Sequence, residues 1–251
     1  MKERTIKIGS NGKYQIIEEE IVASGSMAEL MSVLQHSVPT PMVILPHEEM
    51  GCAGYIAGKN IAGYLMYLSP KRRMVRYHRE DDGRVLEYRV NLPHSYFLIV
   101  LQLNPSTMTW TSLWTSAFVS REKLRTPQDS VGPLPMPNVD KGARLCTGAM
   151  FFSDTRSPSV MAGEFIHHVV DSRWNAHLME WTATYIPKPL NEGISEYDSV
   201  YGVCERYLTN MDAVSKEKGS DGITKLDWWT PKALQIYIDK VVKVRPEPTE
   251  F

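Results

Sequence analysis

Between Met42 and Asn104 the apolar residues fall into short runs: MVILPH, GCAGYIAG, IAGYLMYLSP, RMVRYHRE, RVLEYRV and LPHSYFLIVLQLN. They are rich in Val, Ile, Leu and Tyr and have strand length. Gly58-Lys59-Asn60, Ser69-Pro70 and Asp81-Asp82-Gly83 punctuate them as turn signals. The pattern predicts an antiparallel β-meander. The Gly- and Pro-rich PQDSVGPLPMPN ends that pattern, and helical spacing follows downstream. EYDSVYGVCERYLTNM aligns Tyr197, Val200, Tyr201, Cys204 and Leu208 on one stripe, which makes Cys204 a core residue. WWTPKALQIYIDKVVKV predicts a last helix with Thr230 as N-cap and Pro231 in the first turn.

The ends read as additions to this body. TIKIG and KYQIIEEEIVAS flank Gly9-Ser10-Asn11-Gly12, so a hairpin is expected. MAELMSVLQHS follows, with Met27, Leu30, Met31 and Leu34 at helical spacing behind Ser26. IPKPL, Ile186 to Leu190, reads as an extended linker, KEKGSDG as a solvated turn and VRPEPTEF as a frayed tail. The organisation is therefore an N-terminal hairpin and helix over 1–39, an α+β domain over 40–185 and a helical extension over 186–251.

Composition narrows the class of function. A chain of 251 residues with 43% hydrophobic and 23% charged residues can bury a substantial core. A net charge of −1 argues against a broad nucleic-acid surface. YFLIVLQL falls short of the roughly 18 to 20 residues of a membrane span, and MKERTIKIGS lacks the apolar core of a secretory signal. A cytoplasmic location without membrane contact is the expectation. Cys52, Cys146 and Cys204 are odd in number and widely spaced, as reduced thiols are. No CxxC pair suggests zinc, no GxxxxGK[ST] loop suggests nucleotide binding, and His167-His168 lacks the spacing and acid of HExxH. Neither a metal nor a cofactor is expected.

The chemistry concentrates in PMPNVDKGARLCTGAM, Pro135 to Met150, where Asn138 stands eight residues before Cys146. A thiolate attacking a carbonyl creates an oxyanion that needs a fixed donor, and an Asn amide can be that donor. Pro137 fixes the backbone ahead of Asn138, and Gly142 is expected to permit the reversal towards Cys146. The alternative for the same residues is an ordinary turn beside a small buried strand Cys.

This segment resembles the active-site stretch of ubiquitin-conjugating enzymes, where a His-Pro-Asn turn precedes the thioester-forming Cys at the same separation. Met136, Pro137, Asn138 and Cys146 are the matching residues, with Met136 in place of the His. Within that superfamily the chain is similar to a prokaryotic branch, the protein B type of the plasmid-associated PRTRC systems. Members share a Pro-Asn-Val turn leading into Gly-x-x-Cys-x-Gly, here NVDKGARLCTG, and an aromatic-Ser-aromatic-Asn/Thr-His element that FIHHVVDSRWNAHL resembles.

The resemblance implies a ubiquitin-conjugating fold over 40–185, a β-meander packed on helices. It implies a transferase in which Cys146 takes a ubiquitin-like protein from an activating enzyme and passes it to an amine or other nucleophile. Asn138 would stabilise the oxyanion. His177 could deprotonate the acceptor if a helix returns it over Cys146. Asp154, Asp171 and Ser172 are candidates for the acidic or hydroxyl gate after the Cys. The alternative is a catalytically inactive module of the same fold, serving as a scaffold in a plasmid or phage system, with Met136 as its sign.

Two further features carry bland readings. KRRMVRYHRE sets five Lys or Arg beside Tyr77, which could meet nucleic acid or an acidic partner but reads first as a solvated edge strand. Trp110 and Trp114 in TWTSLWTSAF could form a helical or loop patch, though core packing is the simpler account.

Overall fold

Tyr96, Phe97, Leu98, Ile99, Val100 and Leu101, consecutive in one strand, are each no more than 2% exposed. Strand side chains alternate between faces, so a strand buried at every position lies in a sheet covered on both sides. Phe97, Ile99 and Leu101 belong to one core, and Tyr96, Leu98 and Val100 to another. The computed structural model describes residues 5–8, 13–17, 21–26, 42–58, 60–147, 153–154, 157–178, 186, 188–195, 197–218 and 232–243.

The strands in chain order are β1 Thr5–Ile8, β2 Lys13–Ile17, β3 Ile21–Ser26, β4 Val43–Ile44, β5 Gly51–Gly58, β6 Ile61–Leu68, β7 Lys71–His78 and β8 Val85–Leu92. They continue as β9 His94–Asn104, β10 Thr109–Ser120, β11 Ser130–Pro133, β12 Ser153–Asp154, β13 Arg173–Trp174 and β14 Lys232–Ala233. The helices are α1 Pro158–Asp171, α2 Val200–Lys218 and α3 Leu234–Lys243. The fold is α+β. Its main sheet is antiparallel with the order β14-β11-β10-β9-β6-β5-β4, and β12 adds to β10.

The expected runs are strands, but the simple meander is not what they build. β6 pairs with β9, while β7 and β8 pair with each other and leave the main sheet. Alternation explains the departure. β7 buries Val75 and Tyr77 but leaves Arg72, Met74 and Arg76 exposed. A position between β6 and β10 would force those residues into a core. The uniformly apolar β9 takes that place.

Helices close the two faces unequally. α1 begins at Pro158, placed where its missing N–H costs nothing, and turns Met161, Ala162, Phe165, Ile166 and Val169 onto β6 and β9. α2 covers β8 with Val203, Cys204, Tyr207, Leu208 and Met211 in the same core, so Cys204 is buried as expected. Ile186 and Leu190 of the expected linker also enter this core. On the other face Leu234, Tyr237 and Ile238 of α3 pack with Phe118 and Val131. There His47 also bonds Tyr96 Oη at 3.0 Å, and His94 Nδ1 lies 2.7 Å from Tyr67 Oη.

The N-terminal hairpin is present as β1 and β2, with β3 added to make a third sheet. The expected helix over MAELMSVLQHS, the Thr230-Pro231 start and the tail lie outside the described residues; Lys216 to Lys218 of the expected KEKGSDG turn extend α2. No helix among the described residues is long and apolar enough to cross a membrane.

Double-sided burial of β9 predicts that Leu98→Ala costs roughly 3 kcal/mol. Urea unfolding should show a lower midpoint with an unchanged slope. Val160→Ala, on the exposed side of α1, should stay within about 0.5 kcal/mol of the parent.

Candidate functional site

Backbone bridges and one threonine hydroxyl hold the Cys146 turn against β10. Val139 bridges Leu145 and Arg144 bridges Ser116, making a small hairpin that lies along β10. The Leu145 N–H donates to the Thr115 carbonyl at 3.0 Å, and the Thr115 hydroxyl donates to the Leu145 carbonyl at 2.8 Å. Cys146 follows immediately, half-buried.

The tip of this hairpin differs from the expectation. Ala143, not Gly142, takes the left-handed conformation, with φ 67. Asp140 Oδ1 accepts the N–H groups of Gly142 at 2.7 Å and Arg144 at 2.9 Å, which winds the chain around one carboxylate oxygen. A Cβ on Gly142 would stand 3.1 Å from that oxygen, so the glycine serves by close approach. Ala143 bears a left-handed cost of about 1 kcal/mol. It is held there by its own burial and by the Ala117 N–H on its carbonyl at 2.9 Å.

Met136, at the position of the family His, is 1% exposed and packs in the first core. Its carbonyl accepts the Val139 N–H at 2.9 Å. The turn is therefore braced by apolar packing. Tyr207 of α2 adds a hydroxyl bond to the Pro135 carbonyl at 3.2 Å.

Asn138 is buried and links three segments. Its backbone carbonyl accepts the Cys146 N–H at 2.8 Å, and its Nδ2 donates to the Cys146 carbonyl at 3.3 Å. Its Oδ1 accepts the Asn175 N–H at 2.6 Å. Asn175 then reaches Glu80 Oε1 through Nδ2 at 3.3 Å, and His177 Nε2 faces Glu80 Oε2 at 3.0 Å. His177 Nδ1 lies 3.2 Å from Asn175 Nδ2. One tautomer satisfies every contact: Nε2–H donates to Glu80, and Nδ1 accepts from Asn175.

The segment bearing His177 is not the helix that the sequence suggested. α1 ends at Asp171, and Ser172 caps it in an extended conformation with its N–H on the His168 carbonyl at 2.8 Å. Trp174 then buries itself and pairs in parallel with Tyr77. That pairing interrupts the helix and places His177 in the turn beyond β13, beside Glu80 at the end of β7. The structure thus links the Cys146 backbone, rather than its sulfur, to Asn138 and, through Asn175, to His177.

Asn175 and Glu80 are the residues that sequence reasoning missed. They lie 95 positions apart, and no spacing rule connects them. Of the gate candidates, Asp171 and Ser172 line a different cavity, against Lys71 to Arg76. Asp154 pairs with Trp110 on β10, and its side chain lies outside the described residues. Trp110 and Trp114 are strand residues of β10, one against each core.

Burial sorts the three thiols. Burial pushes the Cys204 thiol up to about 12. Cys52 is exposed as a residue, but its sulfur turns back onto the Gly54 carbonyl at 3.3 Å, and desolvation pushes that thiol up to about 11. Both therefore stay protonated near neutral pH. Among the described residues no group of three His, Cys, Asp or Glu side chains is placed to share a metal ion. Compared with protein-family models, with curated proteins and with solved structures, the chain finds no match.

Two outcomes are expected from this geometry. Brief treatment with N-ethylmaleimide near neutral pH should label Cys146 before Cys52 and Cys204, as read by peptide mass spectrometry. Asn138→Ala should destabilise the chain by about 2 kcal/mol, since it leaves the half-buried Asn175 N–H without its acceptor. Hydrogen exchange should show the Asn175 amide losing protection.

Proposed function

We propose that this chain is a ubiquitin-conjugating-like thioester carrier of a prokaryotic mobile-element system, acting in the cytoplasm with an activating enzyme and a ubiquitin-like protein. The observation that carries the reading is the buried Asn138 side chain, which holds the Cys146 carbonyl through Nδ2 and, through Oδ1, the N–H of Asn175, whose side chain meets the His177–Glu80 pair. The likeness of Pro137, Asn138 and Cys146 to the conjugating-enzyme turn supplies the reaction type.

In the proposed reaction the Cys146 thiolate attacks the thioester carbonyl that joins the modifier's C-terminus to the activating enzyme. A new S–C bond forms, the old one breaks, and the activating enzyme's thiolate leaves. The acceptor amine then displaces Cys146 and loses a proton. His177 is the base assigned to that proton: its Nδ1 takes the proton once the Asn175 amide turns off that nitrogen, and Glu80 holds the resulting imidazolium through Nε2–H. The Asn138 amide carries two protons and gives one to the Cys146 carbonyl, so the second can serve the oxyanion.

A second reading keeps the fold and drops the chemistry: an inactive conjugating-enzyme-like module that binds partners. It draws on the same amide, since both ends of the Asn138 side chain hold backbone groups, a purely structural task. The displaced β7–β8 hairpin also departs from the family's single meander.

Incubation with the cognate activating enzyme, ATP and ubiquitin-like protein separates the two readings. The carrier should form an adduct that reductant cleaves, lost in Cys146→Ala and kept in Cys204→Ala. His177→Gln should load normally and discharge onto free lysine about a hundredfold more slowly. An adduct that persists in Cys146→Ala, or no adduct with the parent chain, would overturn the carrier assignment.

A further inference from the structure

Four cations crowd β7, three of them on a stretch of its edge that β13 leaves uncovered. Lys71, Arg72, Arg73 and Arg76 line an open cavity of about 240 Å³ whose opposite wall is the last turn of α1, with Asp171 and Ser172. β13 pairs with β7 only at Arg76 and Tyr77. Among the described residues, Lys71 to Val75 therefore has β8 on one side and no strand on the other. Alternate amides and carbonyls of such an edge point outward, ready to pair with another chain.

Arg73 is the cation that the fold leaves least satisfied. It alternates onto the same face as the buried Val75 and Tyr77. One Nη donates to the Ser69 carbonyl at 3.3 Å, while its Nε is buried with no acceptor. Desolvation lowers its basicity, a penalty that a carboxylate beside it would offset. Arg72 and Arg76 hold Asp212 at 3.2 Å and Glu87 at 3.3 Å in exposed pairs, which exchange at little cost. Asp171 stands at the cavity but forms no ion pair with any of the four cations among the described residues.

We propose that this edge binds an acidic, extended segment of a partner protein by strand addition to β7, with one carboxylate seated in the cavity against Arg73. Strand addition supplies backbone bonds, and the alternate side chains of the incoming segment supply the charge that selects it. A carboxylate there can take an Nη of Arg73, and Nε with it in a bidentate pair once the guanidinium turns towards the cavity. Nucleic acid fits the surface less well. The whole chain carries a net charge of −1, and Asp171 with the carbonyl end of α1 would repel a continuous row of phosphates. This site is independent of Cys146 and its chemistry.

The test is fluorescence anisotropy of the full chain with a fluorescein-labelled peptide of about six residues, alternating Glu and Val, the length of a typical strand. The parent chain should bind it, less tightly as salt rises. Arg73→Met should weaken binding about tenfold through loss of a charged hydrogen-bonded pair. Asp171→Asn, on an exposed residue, should tighten binding about threefold by removing a like charge. A peptide of the same charge with a central proline should bind about tenfold more weakly, because it cannot complete the ladder.

Absence of binding by the parent chain would overturn the proposal. So would equal binding of the proline peptide, which would reduce the site to unspecific charge attraction. Tighter binding of a single-stranded DNA oligonucleotide than of the peptide would assign the surface to nucleic acid instead. If Arg73→Met fails to fold, Asp171→Asn decides alone, and unchanged or weaker peptide binding there would refute the site.

Discussion

The burial of β9 on both faces is the constraint from which the rest of the structure follows. Phe97, Ile99 and Leu101 require one cover, and Tyr96, Leu98 and Val100 require another. At roughly 1.5 to 3 kcal/mol for each large apolar side chain withdrawn from water, exposing the three of either face would cost about 5 to 9 kcal/mol, comparable with the whole stability of many domains. β6 and β10 must then flank β9, and helices must lie on both sides. α1 and α2 supply one cover and α3 part of the other.

That arrangement places the candidate site. β10, fixed beside β9, offers Thr115 and Ser116 as the rail on which the Cys146 hairpin lies. The charged alternation of β7 excludes it from the sheet centre, so the β7–β8 hairpin swings outward beneath α2. Its displacement gives β13 a strand to pair with, and the pairing of Trp174 with Tyr77 brings Asn175 to both Asn138 and Glu80. The hydrogen-bonded chain from Cys146 to His177 is thus a by-product of where a half-polar hairpin could not go.

The same displacement leaves a basic edge. Lys71, Arg72 and Arg73 lie on the stretch of β7 that β13 does not reach, Arg76 stands where that pairing begins, and α1 ends opposite. In the sequence these residues read as a solvated edge. Three of the four are exposed, as that reading expects, whereas Arg73 is drawn inward with an unpaired Nε. A half-buried guanidinium whose Nε is buried and unpaired is a different physical object from a surface charge.

What the sequence by itself determined was everything decided by local periodicity and turn chemistry. The strand runs between Met42 and Asn104, the burial of Cys204 and Leu208, the α+β class and the hairpin reversal between Asn138 and Cys146 were all legible from nearest neighbours, whereas Tyr197 and Val200 of the same expected stripe are exposed. Tertiary structure alone decided which strands pair, because pairing depends on the total burial each strand can accept, and β7 and β9 differ in that by residues far from their turns. It turned His177 from an expected helix into a turn, drew Ile186 and Leu190 of an apparent linker into the core, and gave Ala143 the conformation expected of Gly142. It also supplied Glu80 and Asn175 across 95 positions of chain, a contact that no local pattern encodes.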